Sequence, residues 1–126
     1  MEKKTEKKKL GINTAAGIVD IVGAVLYLVA LFVIVGAAIN EVVGTTGEGS
    51  TQTIATVFML FAIVGVVLHI VGLVQSKKVN LKITGHILGI VGHGIYVLLS
   101  ALMGWAAMIL CILAAIFTLM QKPVDK

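Results

Sequence analysis

Four long apolar runs, Thr14 to Ile39, Thr53 to Val74, Ile83 to Met103 and Trp105 to Met120, take up most of this 126-residue chain. They leave almost no polar stretch from which to build a water-soluble surface. With 59% hydrophobic and 13% charged residues, the chain carries far more apolar positions than a soluble core of this size uses. Each run is near the ~20 residues that cross ~30 Å of hydrocarbon as a helix, the first long enough to tilt and the fourth short. The expected fold is therefore all-α: a transmembrane four-helix bundle over residues 13–121, with a basic tail at 1–12 and a short tail at 122–126.

All ten positive side chains are lysines, and they lie before the first run, between the second and third, or after the fourth. The outward connections carry none. By the positive-inside rule both termini are cytoplasmic, in a multi-pass protein of the cell membrane. The first run is too long for a signal-peptide core and lacks a convincing cleavage site, so the segment Lys3 to Lys9 reads as a retained cytoplasmic tail. Lys7, Lys8 and Lys9, with Lys77, Lys78 and Lys82 of the QSKKVNLK turn, are placed to touch an anionic inner leaflet, each nearby lysine adding about 1 kcal/mol. The outer connection Asn40 to Gln52 is glycine- and threonine-rich and reads as a flexible loop. Ser50 or Thr51 is expected to cap the second helix, and Asn80 the third. Gly104 is expected to make the sharp turn into the fourth helix, and Pro123 to stop that helix just beyond Gln121.

An internal repeat underlies this layout. Laying the first run on the third places Ile18, Ile21, Val22, Gly23 and Tyr27 on Ile87, Ile90, Val91, Gly92 and Tyr96, so that the two tyrosines coincide. The glycine and tyrosine carry this signal, since apolar helices match one another by composition. Both hairpins start on the cytoplasmic side, so they would be parallel repeats about an axis along the membrane normal. The second hairpin is shorter, and the loss is assigned mostly to the outer loop. Gly85 and Gly89 form a GxxxG pair, Gly92 continues their face, and Gly65 and Gly72 share a face of the second helix. These five are expected to let helices approach closely.

The polar residues inside the runs are few and expensive there. Asp20 lies about two turns into the first helix, where an ionised carboxylate costs roughly 2.5 to 3.5 kcal/mol on insertion scales. Gly17, Asp20, Ala24 and Tyr27 share a helical stripe, as do His86, Gly89, His93 and Tyr96. Facing stripes would bring Asp20 to His86 or His93, with His69 at a similar depth. Three readings follow: a structural Asp–His bond that fixes register, a proton relay, or metal or haem ligation through His69 with His86 or His93. The first is preferred, and no metal or cofactor is assigned. The hydroxyls of Tyr27 and Tyr96 are expected to bond to a carbonyl or threonine. The single cysteine, Cys111, reads as a small packing residue.

The stretch from Ile63 to Pro123, IVGVVLHIVGLVQSKKVNLKITGHILGIVGHGIYVLL followed by MILCILAAIFTLMQKP, resembles the small glycine-rich four-span membrane proteins of Gram-positive bacteria grouped as a domain of unknown function. The shared features are an apolar helix, a lysine-rich turn, a glycine-patterned helix and a last helix ending in basic residues. That resemblance implies architecture and no activity, and it does not extend to Asp20 or the histidines. In size and in its first-helix acid the chain is also similar to the small multidrug resistance transporters. It departs from them in having aspartate for glutamate, a parallel repeat and a long outer loop. No serine or cysteine is paired with a base, and no phosphate-binding loop occurs, so the chain is not expected to be an enzyme. The expected role is an accessory, regulatory or immunity-type subunit binding a membrane protein or peptide, or its own copies, with no nucleic-acid partner. The alternative is a small proton-coupled transporter or channel using Asp20 and the histidines.

Overall fold

The computed structural model describes residues 9–124. Among them are four α-helices, α1 (Gly11–Val42), α2 (Ser50–Lys78), α3 (Thr84–Leu99) and α4 (Gly104–Met120), with a 3-10 turn, Ser100–Met103, between the last two. The apolar runs lack proline, and most of their residues tolerate helix well, so nothing inside them interrupts the backbone ladder. Helices α1 and α3 each pack between α2 and α4, so the four form a ring in chain order.

The helix ends differ from the sequence expectation. Neither Ser50 nor Thr51 caps α2 through its side chain; Gly49 precedes it in the left-handed region at φ 85°. The cap comes from α1 instead, where Glu41 accepts the N–H of Gly49 at 2.7 Å and that of Thr51 at 2.9 Å. A carboxylate bridging two orphan donors also suits the positive end of a helix dipole. The Thr51 side chain and the N–H groups of Thr51 and Gly49 hold the Glu41 carboxyl below the usual carboxylate range. Asn80 does not cap α3. It turns the chain at φ 58°, and its carbonyl accepts the N–H of Val124 at 2.8 Å. The turn into α4 is made by Ser100 at φ 55°, not by Gly104. Gly104 is needed for a different reason: a Cβ there would lie 2.6 Å from the carbonyl oxygen of Tyr27.

At one end of the bundle the chain is tied together by backbone. Leu81 and Pro123 form an antiparallel bridge, Lys82 N–H donates to Lys122 O at 2.8 Å, and Leu10 N–H donates to the Gln121 side chain at 2.6 Å. Helix α4 ends at Met120, and Pro123 follows as expected. The two hairpins are flush at this end and unequal at the other. Helices α1 and α2 have 32 and 29 residues, whereas α3 and α4 have 16 and 17. At ~1.5 Å per residue the first hairpin overhangs the second by roughly 20 Å. The shortening thus lies in the helices and not mainly in the outer loop, because α3 and α4 are each more than ten residues shorter than α1 and α2.

Burial is inverted relative to a water-soluble bundle. The interior holds Ala16, Ala24, Ala30, Ala62, Ala107, Ala114 and Ala115, the two tyrosines, Cys111 and a set of polar side chains. Large aliphatic residues such as Ile18, Val25, Leu28, Val64, Val67 and Ile112 face outward. Helices α1 and α2 are long and apolar enough to cross a membrane, and α3 and α4 are shorter apolar helices.

Candidate functional site

The polar interior is built on seven-residue spacings. Asn13, Asp20 and Tyr27 recur every seven residues on α1, as do His69 and Ser76 on α2, His86 and His93 on α3, and Cys111 and Thr118 on α4. Seven residues are close to two helical turns, so each set lies on one face, and in a four-helix ring that face points to the centre. All of these side chains are buried. The stripes containing Asp20 and His93 therefore do turn inward together.

From the end that carries Leu81 and Gln121, the side chains connect in sequence. Asn13 Nδ2 donates to Ser76 Oγ at 2.9 Å, and Asn13 Oδ1 lies 2.8 Å from His86 Nε2. His86 Nδ1 is 3.0 Å from His69 Nδ1. The Nε2 atoms of His69 and His93 converge on Asp20 Oδ1, at 2.7 and 2.9 Å. Beyond them the Tyr27 hydroxyl meets His93 Nδ1 at 2.5 Å, and the Tyr27 ring stacks on Tyr96 with centroids 4.4 Å apart. Cys111 Sγ approaches His93 Nε2 at 3.8 Å.

Two expected pairings change. Of the candidate partners for Asp20, His93 is in contact; His86 is not, and His69 takes the second place. The repeat compares α1 only with α3, whereas α2 packs against both and carries His69 to the level of Asp20. Tyr27 bonds to a histidine and not to a carbonyl or threonine. Asn13 and Ser76 were not singled out from the sequence. Their signal was the seven-residue step from Asp20 and from His69. Cys111 packs in the alanine- and tyrosine-lined core as expected, with the added approach to His93.

The glycines divide into two groups. A Cβ on Gly85 would strike the backbone of Thr118, and one on Gly92 would lie 3.0 Å from Leu110, so these two serve the close α3–α4 approach expected of them. Gly65, Gly72 and Gly89 do something else. Each faces an imidazole ring, of His93, His86 and His69 respectively, so closely that a methyl group would collide with it. The holes they leave are what let three rings fit between helices.

Electrostatically the cluster stands alone. Lys9, Lys77, Lys78, Lys82 and Lys122 are exposed at or near the tied end, while Lys7 and Lys8 lie outside the described residues. Asp20, His69 and His93 have no accessible surface, and Asp20 Oδ2 has no hydrogen-bond partner. An ionised carboxylate in that setting requires a cation, either a protonated ring or a bound ion. One donor atom from each of Asp20, His69 and His93 lies within 4.8 Å of the others. Of the histidine pairs considered for ligation, His69 with His93 is the one whose Nε2 atoms share a target.

Comparisons with family models, curated proteins and solved structures return no match.

Proposed function

We propose that this chain is a four-span integral membrane protein, cytoplasmic at both ends, that serves as a non-enzymatic accessory or regulatory subunit for another membrane protein. The inverted burial supports the membrane setting, because a bundle with alanine inside and isoleucine, valine and leucine outside is suited to lipid and not to water. The lysines exposed at the tied end suit an anionic inner leaflet. The proposed membership of the small glycine-rich four-span proteins fits this architecture and adds no activity.

The observation that carries the accessory role is the unequal length of the hairpins. At 16 and 17 residues, α3 and α4 reach only about 25 Å. The Ser100–Met103 turn would then end inside a ~30 Å apolar layer. Irregular backbone at that depth is tolerated where protein covers it. In the overhanging part of the first hairpin Phe32, Val35, Ile39 and Val57 are exposed, as are Leu98 and Leu102 at the closed end of the second. A helix of a partner protein seated in this step would cover the turn and complete the bundle.

Purification in mild detergent should retain a stoichiometric membrane partner. Replacing Phe32 and Leu102 by alanine should release it while helicity is unchanged. A stable, partner-free monomer recovered from native membranes would count against this role.

A further inference from the structure

We propose that Asp20, His69, His93 and Cys111 form a four-coordinate site for a zinc-class divalent metal ion inside the bundle. The proposal is independent of the accessory role. Each helix contributes one donor: Asp20 from α1, His69 from α2, His93 from α3 and Cys111 from α4. The first three converge within 4.8 Å of one another; the sulfur lies 3.8 Å from His93 Nε2 but outside that three-residue group, so it must turn inward to complete the donor set. All four are without solvent exposure. Asp20 Oδ2 is a further buried ligand atom, without a hydrogen-bond partner.

The hydrogen bonds behind the rings favour metallated Nε2 atoms. Asn13 gives its amide N–H to Ser76 and turns its oxygen to His86 Nε2. An amide oxygen only accepts, so His86 Nε2 carries a proton, and a neutral His86 then has a lone pair on Nδ1. His69 must donate from Nδ1 to that lone pair at 3.0 Å. A neutral His69 is left with a bare Nε2 pointing at Asp20 Oδ1 across 2.7 Å. Two acceptors face each other, and a cation between them resolves the conflict. His93 has its Nδ1 against the Tyr27 hydroxyl at 2.5 Å and its Nε2 toward Asp20; that hydroxyl can accept from Nδ1–H, the tautomer that leaves Nε2 bare for a metal. Ligating histidines that keep their second nitrogen hydrogen-bonded are the usual construction of a metal site.

Charge and donor type name the ion. One carboxylate, one thiolate and two neutral imidazoles balance a divalent cation to zero, which a buried apolar setting demands. On binding, the Cys111 thiol gives its proton to solvent. An N2OS donor set from four directions suits tetrahedral Zn²⁺ and disfavours Mg²⁺ or Ca²⁺. Bonds of about 2.0 Å set nitrogen and oxygen ligands roughly 3.3 Å apart, so Asp20 Oδ1 and the two Nε2 atoms move apart by about half an ångström on binding while the Cys111 sulfur moves inward.

The test uses tag-free full-length protein in detergent micelles, analysed for metal content and then, after chelation, titrated with Co²⁺. The expected result is near one equivalent of zinc per chain. Co²⁺ should give the visible absorption of a four-coordinate ion together with a near-ultraviolet thiolate band. Cys111→Ser should lose the thiolate band and keep visible absorption. His86→Gln, a positioning change, should weaken Co²⁺ binding about 10- to 100-fold. Asp20→Asn, checked for folding by circular dichroism, should bind at least tenfold more weakly. A folded wild type with no metal, no Co²⁺ spectrum and a melting temperature unmoved by zinc or chelator overturns the site, leaving a proton as the cation. A Co²⁺ spectrum without a thiolate band removes Cys111 and with it the four-helix donor set.

Discussion

The sharpest consequence of the interior concerns Gly65, whose value lies in the atom it lacks. An ideal Cβ at this position lies 2.6 Å from Cγ, Nδ1 and Cε1 of His93, whereas ordinary contact begins at 3.4 Å. In Gly65→Ala the imidazole must therefore retreat by roughly 1 Å or the helices must part. Either movement breaks the ring's bonds, which run 2.9 Å to Asp20 and 2.5 Å to Tyr27. Overpacking costs about 1–3 kcal/mol. The loss of a hydrogen bond to a charged group costs about 1.5–3 kcal/mol. Alanine returns up to ~1 kcal/mol of helix propensity. The net expectation is a loss of about 2–4 kcal/mol. Gly36, in the overhang, has open space where its Cβ would be. There the same change should be neutral or stabilising by up to ~1 kcal/mol. Denaturant unfolding in micelles, followed by circular dichroism, measures both. In a His93→Ala background the penalty of Gly65→Ala should disappear, because the colliding ring is gone. Equal effects at Gly65 and Gly36, or an undiminished penalty without His93, would refute the ring-cavity account.

Two further outcomes can be measured directly. Glu41 has a folded pKa below its ordinary value of 4.5. Its ordering of the Gly49 and Thr51 amides is therefore complete above that ordinary value and is lost as pH falls through the lower folded one. Amide exchange at those two positions, corrected for intrinsic rates, should speed up in acid, and Glu41→Gln should abolish the pH dependence. In sealed spheroplasts, an impermeant thiol reagent should label Thr46→Cys and leave Lys78→Cys unlabelled until lysis, with buried Cys111 silent in both; the reverse pattern would overturn the proposed orientation.

The residues explain how far the sequence could be read. Helix positions follow from apolar runs with no proline inside them, and the inward stripes through Asp20 and His93 follow from helical periodicity. Relative height between helices does not follow from either. It depends on where α2 stops sliding along α1 and α3, and that is decided by His69 meeting Asp20 and by Gly89 making room for His69. The end of α3 was illegible for a related reason. Leu99 to Met103 is as apolar as the helix before it, and Ser100 is an ordinary residue placed at positive φ by the return of α4 against Tyr27. The α2 cap was hidden because its carboxylate comes from the preceding helix, while the local signal pointed to Ser50 and Thr51.

The arrangement also bears on why an apolar bundle should carry so costly a centre. If the bundle lies in lipid, aliphatic contacts between helices are barely better than aliphatic contacts with chains, so packing alone leaves the helices free to slide by a turn. A one-turn slip is ~5.4 Å. It would move His69 off Asp20 and drive its ring from the hole at Gly89 into side chains above or below. Interhelical hydrogen bonds in membranes are worth only about 0.6–2 kcal/mol each. Asp20 receives two, and the slip loses both while leaving a carboxylate unpaired, so the penalty exceeds the sum of the bonds. Asp20 thereby sets the height of α2 against α1 and of α3 against both. The glycines opposite the rings add steric exclusion of neighbouring registers, because a ring fits only where the Cβ is missing. A polar centre that is fully enclosed and matched to three glycine holes can thus specify one register.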